Sequence, residues 1–186
     1  MIDQAQTGED TVYLAEDEAS LYLQTTTCAV WAVRGHPPQV RMDVNRAKTN
    51  FFGTLNLHNG QELVLRAEQM NGSASVQHLE QILSAYPTQH IVLFWDRATW
   101  HKGEVVRNFL KDHERLEVIY FPVSSPEMNP QEHVWKATRN AVSHNHLPEK
   151  LDKVADQFEG HLRQSSFESS FLFHYGFDAI HCATFR

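Results

Sequence analysis

His90-Ile91-Val92-Leu93-Phe94-Trp95 runs apolar from its second residue to its last and stops at Asp96. A run of this length without polar alternation predicts a strand buried on both faces, with helices covering the sheet that holds it. Working outward, Val76, Leu79, Ile82, Leu83 and Tyr86 recur at helical spacing, with Ser73 placed to cap the start and Pro87 to stop the helix. On the other side, Val105, Val106, Phe109 and Leu110 mark a second helix, and Leu116–Phe121 reads as the next strand. Upstream, Asn50–Leu57 alternates and Glu62–Leu65 returns as a β run, so His58-Asn59-Gly60 predicts a hairpin with its positive-φ turn at Asn59-Gly60. Ala29–Arg34 and Gln39–Val44 read as further strands, parted by Gly35-His36-Pro37-Pro38. Thr11–Ala15 is a first strand that delivers Glu16-Asp17-Glu18 at its end. Beyond the proline-punctuated loop 122–130, one helix starts at Pro130 (Val134, Thr138, Ala141, Val142) and another at Pro148 (Leu151, Val154, Phe158, Leu162). Past Ser165 the pattern is aromatic and irregular and predicts no element. The order predicts an α/β fold, a mixed sheet with helices packed on its faces, built as one domain over residues 1–186.

Composition narrows the function. With 186 residues, 41% hydrophobic and 21% charged, the chain has the makeup of a folded domain and is too short for two ordinary ones. The run ending at Trp95 is far shorter than the roughly 18 apolar residues of a membrane span. The first ten residues lack a secretory pattern, and Cys28 and Cys182 stand far apart, so a reducing cytoplasmic setting is expected. A net charge of −7 argues against a surface that grips nucleic acid everywhere. Six of the acids (Asp3, Glu9, Asp10, Glu16, Asp17, Glu18) fall in the first 20 residues, which hold no Lys or Arg, so the remainder is nearly neutral.

Three acids stand where a fold places functional groups: Asp17 after the first strand, Asp96 after the most buried strand, and Glu132 in the first turn of the helix after the proline loop. If the two strands are neighbours and the helix crosses their ends, the three carboxylates converge. Such a cluster resists ionisation on its own, and divalent metal resolves it. Hard Mg²⁺ prefers carboxylate and water oxygens, and two ions about 3.5–4 Å apart can activate water and stabilise the leaving oxygen of a phosphodiester.

AEDEASLYL (15–23), WAVRGHPP (31–38), LFWDRATWHKG (93–103) and FPVSSPEMNPQEHVWK (121–136) resemble the catalytic domain of DDE transposases of the mariner-like superfamily, in its bacterial insertion-sequence branch. The resemblance spans about residue 10 to about residue 145, and its most specific part is Ser125-Pro126-Glu127-Met128-Asn129-Pro130 leading into Glu132 and Trp135. It implies an RNase H-like fold, with Asp17, Asp96 and Glu132 as catalytic residues and metal ligands for two Mg²⁺ or Mn²⁺. It also implies cleavage at transposon ends, joining of 3′-ends to a TA target, and a homodimer acting on DNA in the nucleoid. The family's helix-turn-helix region, which reads transposon ends, has no counterpart in this sequence and is expected to be separate or frameshift-fused. Two departures are Arg97, where a small or amide residue usually follows the aspartate, and the bulky Trp100.

Blander readings compete residue by residue. With Asn129 as N-cap and Pro130 opening the helix, Glu132 would complete a capping box. Asp96 fits a turn former, and Asp17 fits a solvated acidic run in which alternation leaves the choice between Asp17 and Glu18 open, the family register favouring Asp17. His144-Asn145-His146 lacks the paired spacing of a zinc site, Ser124-Ser125 lacks a nucleophile-elbow setting, and no phosphate-binding glycine loop is present. Trp31, Trp95, Trp100 and Trp135 read as packing residues. Arg34, Arg46, Lys48 and Lys102 are candidate phosphate contacts. Two other functions fit the same pattern: an RNase H-like structure-selective nuclease, and a non-catalytic module for DNA association or dimerisation.

Overall fold

The computed structural model describes residues 11–37, 39, 46–123, 125–145 and 150–177. Five strands, β1 (Thr11–Tyr22), β2 (Lys48–Asn56), β3 (Glu62–Ala67), β4 (His90–Trp95) and β5 (Leu116–Tyr120), form one sheet in the order β3-β2-β1-β4-β5. The first three run antiparallel, whereas β4 and β5 join β1 in parallel, each through a helical crossover. Helices α1 (Gly72–Ala85) and α2 (Glu104–Lys111) are those crossovers; α3 (Gln131–Val142), α4 (Leu151–Gln164) and the short α5 (Phe171–His174) follow β5. Among the described residues, no helix is long and apolar enough to cross a membrane.

The apolar run at 91–95 does what its pattern requires. Ile91, Leu93 and Trp95 face α1 and α2 in a cluster with Leu14, Leu79, Ile82 and Val106. Val92 and Phe94 face the other way, into a larger cluster that includes Ala15, Phe51, Trp135, Phe158 and Leu162. The sheet is thus sandwiched between two helical layers.

Several boundaries differ from the sequence reading, each for a visible reason. β1 does not end at Ala15: its pairing with β4 stops at Ala15↔Phe94, but β2 continues to pair with it as far as Tyr22↔Lys48. Glu16, Asp17 and Glu18 therefore lie inside a strand. Ala29–Arg34 forms no strand; it is an exposed stretch with Trp31 fully in solvent. Val40–Val44 and Pro148 lie outside the described residues, as do Ser124, His146 and Cys182. In the β2–β3 hairpin only Gly60 has positive φ (+71°), and the loop is wider than a two-residue turn because the Asn56 side chain accepts from the His58 and Asn59 N–H groups. The hairpin tip docks on the segment after α4, where the Phe167 N–H donates to the Gly60 carbonyl at 2.8 Å. That segment, which no periodicity marks, supplies Phe167, Phe171 and Leu172 to the core.

α1 is capped by Asn71, not Ser73: the Asn71 Oδ1 accepts from the Ala74 N–H at 2.9 Å. Two good caps stand two residues apart, and only the geometry chooses between them. Asn71→Ala is expected to lower stability by about 1 kcal/mol, seen as a fall in Tm of roughly 2–4 °C. Ser73→Ala should leave the Tm within a degree in the same melting experiment.

Candidate active site

Along β1, side chains alternate between the two sheet faces. Odd-numbered Tyr13, Ala15, Ala19 and Leu21 pack under α3 and α4, whereas Leu14 packs under α1. Asp17 therefore faces α3, where the Trp135 indole N–H donates to its Oδ2 at 3.1 Å. Glu16 and Glu18 face the opposite layer. The β1–β4 register, carried two residues past Ala15↔Phe94, brings Asp17 level with Asp96 on the neighbouring chain segment.

Asp96 leaves β4 in a tight turn, with its Oδ1 accepting from the Ala98 N–H at 2.9 Å. The turn-forming reading thus holds, and the same carboxylate still opens onto the cleft. Glu132 is exposed in the first turn of α3. The helix start is fixed by Asn129, whose Oδ1 accepts from the Gln131 N–H (3.1 Å) and whose Nδ2 donates to the Glu16 carbonyl (3.3 Å). A capping box does not form: the Asn129 N–H bonds the Pro126 carbonyl at 3.0 Å, leaving the Glu132 carboxylate free of that role.

Asp17, Asp96 and Glu132 line one cavity of about 320 Å³, together with Arg97, Ser125 and Asn129. Arg97 does not quench the acids, because its Nε donates to the Phe121 carbonyl at 3.0 Å and its guanidinium lies over the Tyr120 ring. The Trp100 indole N–H is likewise taken up by Glu18 Oε1, at 2.7 Å. The three cleft carboxylates share the cavity without closing as tightly as a second group, Glu16, Glu18 and His101, whose ligand atoms lie within 4.8 Å of one another.

The field in the cleft separates its acids. Burial, then the charges of Glu18, Glu132 and Asp96, pushes Asp17 up to about 8. Burial also acts upward on Asp96, but His101, the Ala98 N–H and Lys102 outweigh it and hold this carboxyl below its ordinary value. Without metal, folded Asp17 keeps its proton up to about pH 8, whereas in the unfolded chain it ionises near pH 4. The folded state binds more protons in that window, so stability falls as pH rises through it. Asp96 acts in the opposite sense, its contribution being lost only in acid as pH drops through its lowered pKa. The Tm in EDTA is expected to fall from pH 5 to pH 8, and Asp17→Asn should flatten that slope. Glu16 and Glu62, both raised chiefly by burial, add to the fall, while His78, lowered to about 4 by burial, acts in the opposite sense below about pH 6.5. An unchanged slope in Asp17→Asn would contradict this assignment.

The four basic candidates do not line the cavity. Arg34, Arg46 and Lys48 are exposed around the β1–β2 connection, with Lys48 beside Tyr22 at the far end of β1. Lys102 is exposed but close enough to act on Asp96. Arg97 lines the cavity itself, and two cations the sequence reading passed over, Lys136 and Arg139, line a wider groove of about 600 Å³ that shares Glu132, Asn129 and Pro126 with the acidic cavity. Their helical spacing from Glu132 is the signal that would have found them.

Gly53, opposite Asp17 on β2, is also part of the site. An added Cβ there would press on the Trp135 ring and lie 2.5 Å from Gln131 Nε2 and from Glu62 Oε1. The absent side chain lets Trp135 reach Asp17, and lets the buried Gln131 amide hydrogen-bond to the buried Glu62 carboxyl, anchoring the start of α3 on β3.

With this geometry in view, the sequence over residues 12–155 matches the DDE superfamily endonuclease family. The chain belongs to that family. It is 26% identical over 132 residues to the insertion element IS630 uncharacterized 39 kDa protein of Shigella sonnei, covering 70% of this chain and 38% of that relative. Its fold matches the Mos1 transposase paired-end complex with left transposon end at a TM-score of 0.64 and 15% identity, covering 86% of this chain and 50% of that one. The mariner Mos1 paired-end complex with Mg matches at 0.64 and 16% identity, with the same coverage. The five-stranded mixed sheet is thus the RNase H-like fold of transposase catalytic domains. The DDE chain described here spans 38% of the length of its Shigella relative and about half that of these solved chains.

Proposed function

We propose that this chain is the catalytic domain of a DNA transposase, cleaving phosphodiesters at transposon ends and joining 3′-ends to a TA target. One observation carries the reading: acids from a central strand, the end of its parallel neighbour and the first turn of α3 share one cavity in an RNase H-like sheet. The donor set fits hard divalent cations, being all carboxylate oxygen, and the proton that Asp17 retains without metal is what a cation would displace. Asp17, Asp96 and Glu132 would hold two Mg²⁺ or Mn²⁺. When bound, these ions supply the field that activates water or a 3′-hydroxyl and stabilises the leaving oxygen.

The protein's own part is positional. Trp135 holds the Asp17 carboxylate, the Ala98 N–H holds that of Asp96, and Asn129 sets the start of the helix that carries Glu132. Lys136 and Arg139 lead away from Glu132 along a groove suited to a DNA phosphate backbone, with Arg34, Arg46, Lys48 and Lys102 as outer contacts. DNA ends and target DNA are the partners. The active complex is a homodimer completed by a helix-turn-helix region, working in the cytoplasm at the nucleoid.

A structure-selective nuclease would use the same cavity, and the product distinguishes the two. With Mn²⁺, a labelled 3′-hydroxyl oligonucleotide carrying a transposon end, and supercoiled plasmid, the expected product is plasmid bearing the label. Nicked plasmid without label would replace transposition by hydrolysis. Neither product would leave only the non-catalytic module.

A further inference from the structure

We propose a second divalent-cation site, behind the acidic cleft, formed by Glu16, Glu18 and His101. The alternation that turns Asp17 toward α3 turns these two glutamates to the opposite face of the sheet, under the 3-10 turn Thr99–Lys102. One ligand atom from each of the three residues lies within 4.8 Å of the others. Glu16 is 1% exposed and His101 1%. Both carboxylate oxygens of Glu16 are buried without a hydrogen bond, and the buried His101 ring has its Nε2 beside the carboxylates of Glu18 and Asp96. Buried polar atoms are almost always partnered, so the two bare Glu16 oxygens beside the His101 ring mark a missing binding partner.

The surroundings are built as those of a metal site are. His101 is held by its ring, which packs on Trp95 with centroids 3.8 Å apart. Glu18 Oε1 accepts from the Trp100 indole N–H at 2.7 Å, the kind of outer hydrogen bond that orients a ligating carboxylate. His101 Nε2 lies 3.3 Å from Glu18 Oε1 and 3.1 Å from Asp96 Oδ1, so this nitrogen already sits between two carboxylates that a cation would share with it. Two carboxylates and a neutral imidazole leave a divalent ion with no net charge. One nitrogen among the donors favours Zn²⁺ or Mn²⁺ over Mg²⁺ or Ca²⁺. Because His101 also touches Asp96, an ion here would brace the cleft from behind.

The test separates the two sites by removing two of the three cleft acids. The full chain carrying Asp17→Ala and Glu132→Ala retains Glu16, Glu18 and His101, and is titrated with Mn²⁺ after metal removal. The expected result is one bound Mn²⁺ per chain, displaced by Zn²⁺, with an imidazole nitrogen coupling in pulsed electron paramagnetic resonance. Adding His101→Gln should abolish that coupling and weaken binding at least tenfold, on the order of the losses seen when a metal site loses a supporting group. If circular dichroism shows that this variant does not fold, Glu16→Gln is used instead, with the same loss of affinity expected. Absence of Mn²⁺ binding in the doubly substituted chain, binding without nitrogen coupling, or coupling or affinity that survives these changes would each overturn the proposal. Because that chain lacks two cleft acids, the result does not depend on whether the cleft is catalytic.

Discussion

Asp96→Asn is expected to leave the protein folded and to lower Mn²⁺-dependent nicking of supercoiled plasmid by about 10³-fold. The side chain is 41% exposed and follows β4, outside both core clusters. An asparagine can still accept from the Ala98 N–H, so the turn survives and the Tm should move by no more than a few degrees. What disappears is a charge held ionised beside Asp17, the anchor a divalent ion needs at the mouth of the cavity. Loss of one preorganised electrostatic group commonly costs on the order of 10²–10³ in rate, and the upper end applies because this is the carboxylate the cleft holds ionised. Nicking at the wild-type rate by a folded Asp96→Asn protein would remove the cavity from the chemistry.

Gly53→Ala is expected to produce the larger structural effect. The new methyl would press on Trp135 and approach Gln131 Nε2 and Glu62 Oε1 to 2.5 Å. None of these can swing away. Trp135 is 1% exposed and Gln131 fully buried, and the Gln131–Glu62 bond holds the start of α3. Overpacking of this kind costs about 3 kcal/mol, which for a domain of this size corresponds to a fall in Tm of roughly 6–12 °C. The same displacement loosens Trp135 from Asp17, so nicking should fall further than the loss of folded protein explains when assayed well below the Tm. A Gly53→Ala protein that melts with the wild type would show that the contact is relieved elsewhere.

Much of this was legible in the sequence where a pattern answers to a single constraint. The 91–95 run had to be buried on both sides because it lacks any polar alternation, and α1, α4 and the β2–β3 hairpin carried their periods openly. The site was legible only in part. Periodicity could not choose between Asp17 and Glu18, because the choice depends on which helix lies over which face, a fact of tertiary packing. The extension of β1 to Tyr22 was hidden because β2, and not β4, supplies its partner there. Gly53 gave no signal, since a glycine required by a tryptophan 82 positions later looks like any other. The segment after Ser165 reads as irregular because its aromatics fill the core from a loop and a four-residue helix. Glu132 shows the opposite case: a cap and a cleft-lining acid compete for the same helical turn, and only the Asn129–Pro126 hydrogen bond shows that the capping box is not made.

The most direct measurement is site-directed cutting of the backbone by Fe²⁺, bound in place of Mg²⁺ and activated with ascorbate and peroxide. If one metal site draws on all three acids, the chain is cut in three places, around residues 17, 96 and 132, and excess Mg²⁺ suppresses all three together. Cuts near residues 17 and 96 that leave the start of α3 intact would contradict a site shared by Asp17, Asp96 and Glu132.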